Sequence, residues 1–212
     1  MIKKNVKISE RERVRSHLFH EIISLENLRA SGQVFKKGKT KKPDVQQFEK
    51  NSKGEITGLH IDLKNKTYHH SSYFAFYVKD PKLRKIHKAS VRDRVFYQTI
   101  YQLLYKIFDK TFIYDSYASR DEKGTHIGVE RFEEFSRKVS QNYIHQAFVL
   151  KCDIRKFFDS IDHDVLVSLI LKKVNDEEFT SLITQVIDSF HIQEGKGLPL
   201  GNVTSQIFAN IY

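Results

Sequence analysis

The chain holds a single cysteine in 212 residues. Cys152 therefore has no partner for an internal disulfide, which fits a reducing, cytoplasmic compartment. No apolar run approaches the ~18 to 20 residues that a membrane-spanning helix needs. The N-terminal stretch MIKKNVKISERERVR is basic but no apolar segment follows it, so no secretory signal is visible. Internal repeats, zinc-type Cys/His spacing, a Walker loop and a Ser-His-Asp arrangement are all missing. What is present is a chain with 40% hydrophobic residues, enough for one or two domains with a real core rather than a disordered tail.

Charge is distributed unevenly. The net charge is +10, but residues 1–90 hold 21 Lys/Arg against 9 Asp/Glu, while residues 91–212 hold 15 against 17. The positive excess sits wholly in the first part. Such asymmetry points to a polyanion-binding half joined to a carboxylate-bearing half; a merely solubilising surface is the plainer alternative.

Apolar spacing predicts a helix over 9–30, with Val14, Leu18, Ile22 and Leu25 on one stripe and Gly32 as its stop. Lys36 to Lys42 is a basic loop that either grips a phosphate backbone or is simply solvated. Pro43 suits the first turn of a helix with Val45, Phe48, Leu59 and Leu63 on its buried face. Residues 68–78 and 84–88 alternate around Asp80-Pro81-Lys82, the pattern of a hairpin that carries Lys79, Lys82, Arg84, Lys85 and Lys88. A strong helix follows over 92–108, and another opens near Thr125 with Ile127, Phe132, Phe135 and Val139 on one face. His126 near its start reads as structural, because no second ligand stands at helical spacing. Asp176 caps a further helix, with Glu177 and Glu178 at its positive end, and a last helix runs from Asn202.

The chain is organised around FVLKCDIRKFFDSIDH, residues 148–163. Phe148, Val149 and Leu150 predict a short buried strand closed by Asp153, and Asp162 predicts the cap of the next helix. A carboxylate at the end of a buried strand is costly unless it is paired. Its partner is either a divalent cation or the backbone N–H groups of the turn.

The stretch resembles the first catalytic motif of reverse transcriptases, in which a strand-end Asp is followed after four residues by an aromatic, here Asp153 and Phe158. GLPLGNVTSQIFANIY, residues 197–212, resembles the next motif of the same family. Leu200 to Gln206 is closest to the variant found in diversity-generating retroelements; most other members have Gln-Gly at its start and Ser-Pro at its end. The resemblance runs from about Leu18 to Tyr212. It implies a helix-rich α+β fold, with an N-terminal extension and fingers over 1–146 and a partial palm over 147–212.

The resemblance also implies roles. Asp153 and the backbone carbonyl of Ile154 are expected to ligate Mg²⁺ in a two-ion site, and Lys79 and Arg84 to hold an incoming triphosphate. Phe158 is expected to act as a steric gate beneath the sugar, unless it is a core aromatic. Pro199, Leu200, Gly201 and Gln206 are expected at the nascent base pair. Leu200, standing where Gln is usual, lacks the polar atoms that impose directional contacts and implies an error-prone site; ordinary core packing is the alternative. Expected partners are template RNA, a DNA primer, deoxynucleoside triphosphates and a basic accessory protein, with no membrane. The later Tyr-x-Asp-Asp hairpin of the family is not in the sequence, so the chain is expected to be an N-terminal fragment, inactive by itself. The rival reading is a non-catalytic basic module that binds nucleic acid.

Overall fold

A computed structural model describes residues 17–212; the part of the expected first helix that lies before Leu18 falls outside them. The helix stripe read over 9–30 belongs to two helices, α1 (Leu18–Ile23) and α2 (Leu25–Lys36). The break is at Ser24, whose extended backbone ends α1 and whose hydroxyl accepts from Asn27 N to cap α2. Gly32 does not stop the helix. It lies buried inside α2 beside Ile56 and Val95, where an added Cβ would stand at ordinary contact distance, 3.4 and 3.8 Å. Likewise, the stripe after Pro43 divides into α3 (Pro43–Glu49) and α4 (Ser52–Lys64).

The hairpin is present as β1 (Phe74–Lys79) and β2 (Leu83–Lys88), paired antiparallel from Phe74 with Lys88 to Lys79 with Leu83. Helix α5 (Val91–Phe108) follows directly, capped by the Ser90 hydroxyl. Val95, Phe96, Tyr97, Ile100 and Leu104 on it are completely buried. After a short 3-10 turn come α6 (Thr125–Val139), α7 (Phe157–Ser160), α8 (His163–Leu171), α9 (Glu177–Asp188) and α10 (Val203–Ile211). The result is helix-rich α+β with one two-stranded sheet among the described residues. Its main core takes side chains from 18–108 and from 161–208 alike. Asp176 serves both: one carboxylate oxygen caps α9 through Phe179 N at 2.9 Å, and the other accepts from Phe19 N at 3.0 Å.

The buried strand expected before Asp153 is corrected. Phe148 to Leu150 form no strand: they have no ladder partner among the described residues, and Phe148 is 86% exposed. An apolar run becomes a strand only when another strand takes its N–H and C=O groups. Helix α6 forms as expected, yet Ile127, Phe132, Phe135 and Val139 on its stripe are all exposed. No helix of the described residues is long and apolar enough to cross a membrane.

A buried polar network joins the approach to β1 with α5 and α9. Asp93, wholly buried, accepts from Tyr68 Oη at 2.8 Å, Ser90 Oγ at 2.7 Å and Ser71 N at 3.2 Å. Tyr73 Oη contacts Tyr97 Oη at 2.9 Å and Ser189 Oγ at 2.8 Å, and His70 meets the same Tyr97 hydroxyl. Burial, reinforced by Asp93, pushes the Tyr68 phenol well above its usual range.

Burial lowers the pKa of His70, outweighing the opposite pull of Asp93 at 3.9 Å. The unfolded chain thus takes up this proton more readily than the folded one. Stability is complete above the ordinary value of 6.5 and is lost as pH falls through it toward the lower folded pKa. Urea midpoints should therefore drop between about pH 7.5 and about pH 5.5, and His70→Gln should flatten that dependence.

Candidate nucleotide site

Three segments far apart in sequence converge beside the hairpin. The first is the turn into α7 and α8. Lys156, in the left-handed region at φ 53°, turns the preceding segment into α7, and its carbonyl accepts from Asp159 N and Ser160 N. Phe158 is half-buried against the core, its ring 5.8 Å from that of Phe157. Asp162 caps α8, as expected, by accepting from Val165 N at 3.2 Å.

The second segment is the glycine-flanked turn 197–201. It is tied to the first by backbone bonds from Leu198 N to Phe158 O (2.9 Å) and from Gly197 N to Ile161 O (2.8 Å). Pro199 is buried and its carbonyl accepts from Ser205 Oγ at 2.7 Å, which anchors the turn to the start of α10. Leu200 is half-buried and Gln206 is exposed on α10.

The third is β2. His87 N donates to Leu200 O at 2.9 Å, and Asn202 bridges the strand end by donating to His87 O at 2.8 Å and accepting from Ala89 N at 3.3 Å. Gly201, at φ +105°, leaves no room for a side chain: a Cβ there would fall 2.5 Å from Ile86 Cγ2. Gly201→Ala should cost about 2 to 4 kcal/mol, the sum of left-handed strain and overpacking. Gly195→Ala, at φ +69° with no atom within 4 Å, should cost only the strain, about 1 to 2 kcal/mol. Urea unfolding of the two variants checks the difference.

Paired residues of an antiparallel ladder share a face. Arg84 pairs with Val78 and Lys79 with Leu83, so Lys79 and Arg84 occupy adjacent register positions on opposite faces of the ribbon. Both are exposed. Lys85, opposite Tyr77, shares the face of Lys79 and of His87, whose ring lies 4.6 Å from Phe190. On the other face Lys88 lies over the Phe74 ring at 5.6 Å and pairs with Asp44 at 3.1 Å. In the basic loop, Lys36 pairs with Glu49 at 2.9 Å and Lys39 donates back to Phe35 O at 2.8 Å, so these two cations are engaged in the fold.

Asp153 and Ile154 lie on the exposed segment before α7. No group of three His, Cys, Asp or Glu side chains able to hold a metal ion occurs among the described residues. One exposed carboxylate and one carbonyl do not fit a two-ion magnesium site by themselves.

Sequence reasoning missed Asn202 and His163. Asn202 lies inside a quoted motif, but only the fold shows that its amide stitches β2 to α10. His163 is 4% exposed, with Nδ1 at 2.9 Å from Asp188 Oδ1 and Nε2 at 2.8 Å from Gly197 O. No local pattern announces either contact.

No protein-family profile matches the chain. It is 22% identical over 170 residues to the Group II intron-encoded protein LtrA of Lactococcus lactis subsp. cremoris, covering 76% of this chain and 27% of that protein. It is 28% identical over 129 residues to an uncharacterized 91 kDa protein in the cob intron of Schizosaccharomyces pombe, covering 58% of this chain and 15% of that one. Among solved structures, a chain of the partial Cas6-RT-Cas1–Cas2 complex superposes with a TM-score of 0.54 at 17% identity, covering 92% of this chain and 33% of that one. The chain is a relative of intron-encoded proteins with a reverse transcriptase fold. It spans a third or less of the length of each of these three proteins. Backbone bonds bring the hairpin, the Phe158 turn and the 197–201 turn together in the described structure.

Proposed function

We propose that the chain is the fingers region (1–146) and the beginning of the palm (147–212) of an RNA-directed DNA polymerase. The observation that carries this reading is the bonding of Phe158 O to Leu198 N and of Leu200 O to His87 N, which joins both family motifs to a basic hairpin. In this arrangement Lys79 and Arg84 supply a point charge and a bidentate fork for a triphosphate, one from each face of the ribbon end. Phe158 limits the space beneath the sugar. Pro199, Leu200 and Gly201 offer a close backbone approach to the base pair, with Gln206 on the adjoining helix.

Asp153 is the motif's carboxylate. With further carboxylates from a longer product, it and the Ile154 carbonyl would help hold Mg²⁺, which would supply charge neutralisation for nucleotidyl transfer. Template RNA, a DNA primer and deoxynucleoside triphosphates are the proposed substrates. The Leu200 to Gln206 variant supports the diversity-generating class, with a basic accessory protein as partner, although the matched relatives are intron proteins.

The test has two parts. This chain should bind RNA with an affinity that falls steeply with salt, because Lys and Arg contacts release counterions. The longest natural product containing these residues should extend a DNA primer on an RNA template. Salt-dependent binding without extension would instead support a non-catalytic module, for which the exposed Phe74 and Tyr77 on a basic ribbon are suited.

A further inference from the structure

We propose that His163 is the positioning residue of the 197–201 turn, fixing its distance from Phe158. This rests on reading that region as the nucleotide site. His163 opens α8, and it touches the turn segment twice. Its backbone N–H donates to Gly195 O at 2.9 Å, and its ring Nε2 lies 2.8 Å from Gly197 O. A carbonyl oxygen only accepts, so Nε2 carries the proton in this bond. The other ring nitrogen faces Asp188 Oδ1 at the end of α9, also an acceptor, so with Nδ1 protonated as well the ring donates at both ends and its plane, hence the aim of Nε2, is fixed.

Two other carbonyls of the turn are held from other sides, Pro199 O by the Ser205 hydroxyl and Leu200 O by the His87 amide. The Gly197 carbonyl is the one tied by a side chain from the Phe158 stretch. Gly197 at φ +108° has a conformation that favours glycine, and a Cβ there would meet Ile192 at 3.1 Å, so no larger side chain can take its place in the turn. Losing the Nε2 donor leaves a buried carbonyl without its partner, and the local answer is for the turn to move toward water. The neighbouring amides of Gly197 and Leu198, which donate to Ile161 O and Phe158 O, would then open more often.

Two variants separate this role from simple packing. The amide of Gln reaches about as far as Nε2 and keeps a donor for Gly197 O, whereas that of Asn reaches only the position of Nδ1. Amide hydrogen exchange on the 212-residue chain, read with and without a deoxynucleoside triphosphate, is the experiment. In His163→Asn, exchange at Gly197 and Leu198 should rise by about tenfold or more while α5 amides stay protected, and His163→Gln should stay within about threefold of the parent.

Equal effects of Asn and Gln, or none, would overturn the positioning role. So would rapid solvent exchange of the parent's His163 Nε2–H, which needs no variant. If the Asn and Gln variants differ as stated but the triphosphate leaves the exchange of Phe158 and 197–201 in the parent unchanged, the His163 tie stands and the nucleotide reading fails. Binding that is weakened in the Asn variant and retained in the Gln variant supports both.

Discussion

Replacing Asp153 by Asn is expected to abolish RNA-templated synthesis while leaving the fold intact. The two halves of that result have separate causes. Asp153 is exposed, forms no ion pair and accepts no hydrogen bond among the described residues. A surface substitution away from caps and networks changes stability by no more than about 0.5 kcal/mol. The isosteric amide keeps the shape but loses the charge. If, with carboxylates supplied by the longer product, Asp153 helps hold a divalent cation that would neutralise the phosphoryl charge, its loss should cost about 10³-fold or more in rate. Primer extension by the longest natural product, alongside urea unfolding of this chain, checks both halves. Unchanged synthesis would remove Asp153 from the site; loss of folding would make it structural.

The second large effect is on stability. Asp93→Ala should destabilise the chain by about 3 to 5 kcal/mol, since three donors lose their shared acceptor and each buried unsatisfied group costs about 1 to 3 kcal/mol. The carboxylate is wholly buried and receives Tyr68 Oη, Ser71 N and Ser90 Oγ. Alanine would leave these donors without their acceptor in a space too small to hydrate them freely. Asp93→Asn should cost less, because its amide oxygen still accepts. Because residues 68–73 lead directly into β1, Asp93→Ala should also loosen the hairpin, measurable as faster exchange of the β1 and β2 amides. Urea midpoints of the two variants give the ranking. Equal costs for Ala and Asn would show that volume, not hydrogen bonding, holds this part of the core.

What could be read from the sequence was whatever is decided locally. Asp162 and Asp176 cap helices because a short acceptor three residues before an N–H needs nothing else. The turn at Asp80-Pro81-Lys82 placed the hairpin, and the apolar spacing of α5 located that helix to within a residue of its start. Ser24 was harder: an unbroken stripe hides a single extended residue between α1 and α2. Gly32 looked like a stop because glycine is a poor helix former, but burial of the α2 face that carries it, with Leu28 and Phe35, overrides that preference. Phe148 to Leu150 show the limit of apolar runs, which mark a strand only if a partner is at hand.

The site divides in the same way. Motif spacing marked Phe158 and the 197–201 turn, and the fold brings them together. The opposite facing of Lys79 and Arg84 follows from ladder register, which the turn alone did not settle. His163 and Asn202 act through partners that the sequence places far away, Asp188 and Gly197 for one, His87 and Ala89 for the other.

The central claim is that the hairpin, Phe158 and the 197–201 turn form one nucleotide site. The most direct measurement is a titration of the isotopically labelled 212-residue chain with a deoxynucleoside triphosphate, followed by backbone and side-chain NMR shifts. The account predicts saturable shifts concentrated at Lys79, Arg84, Phe158 and Leu200 to Asn202, and weaker binding of the ribonucleotide with the same base. Shifts confined to the Lys36 to Lys42 loop or spread over the basic surface, with Phe158 and Leu200 unmoved, would contradict it.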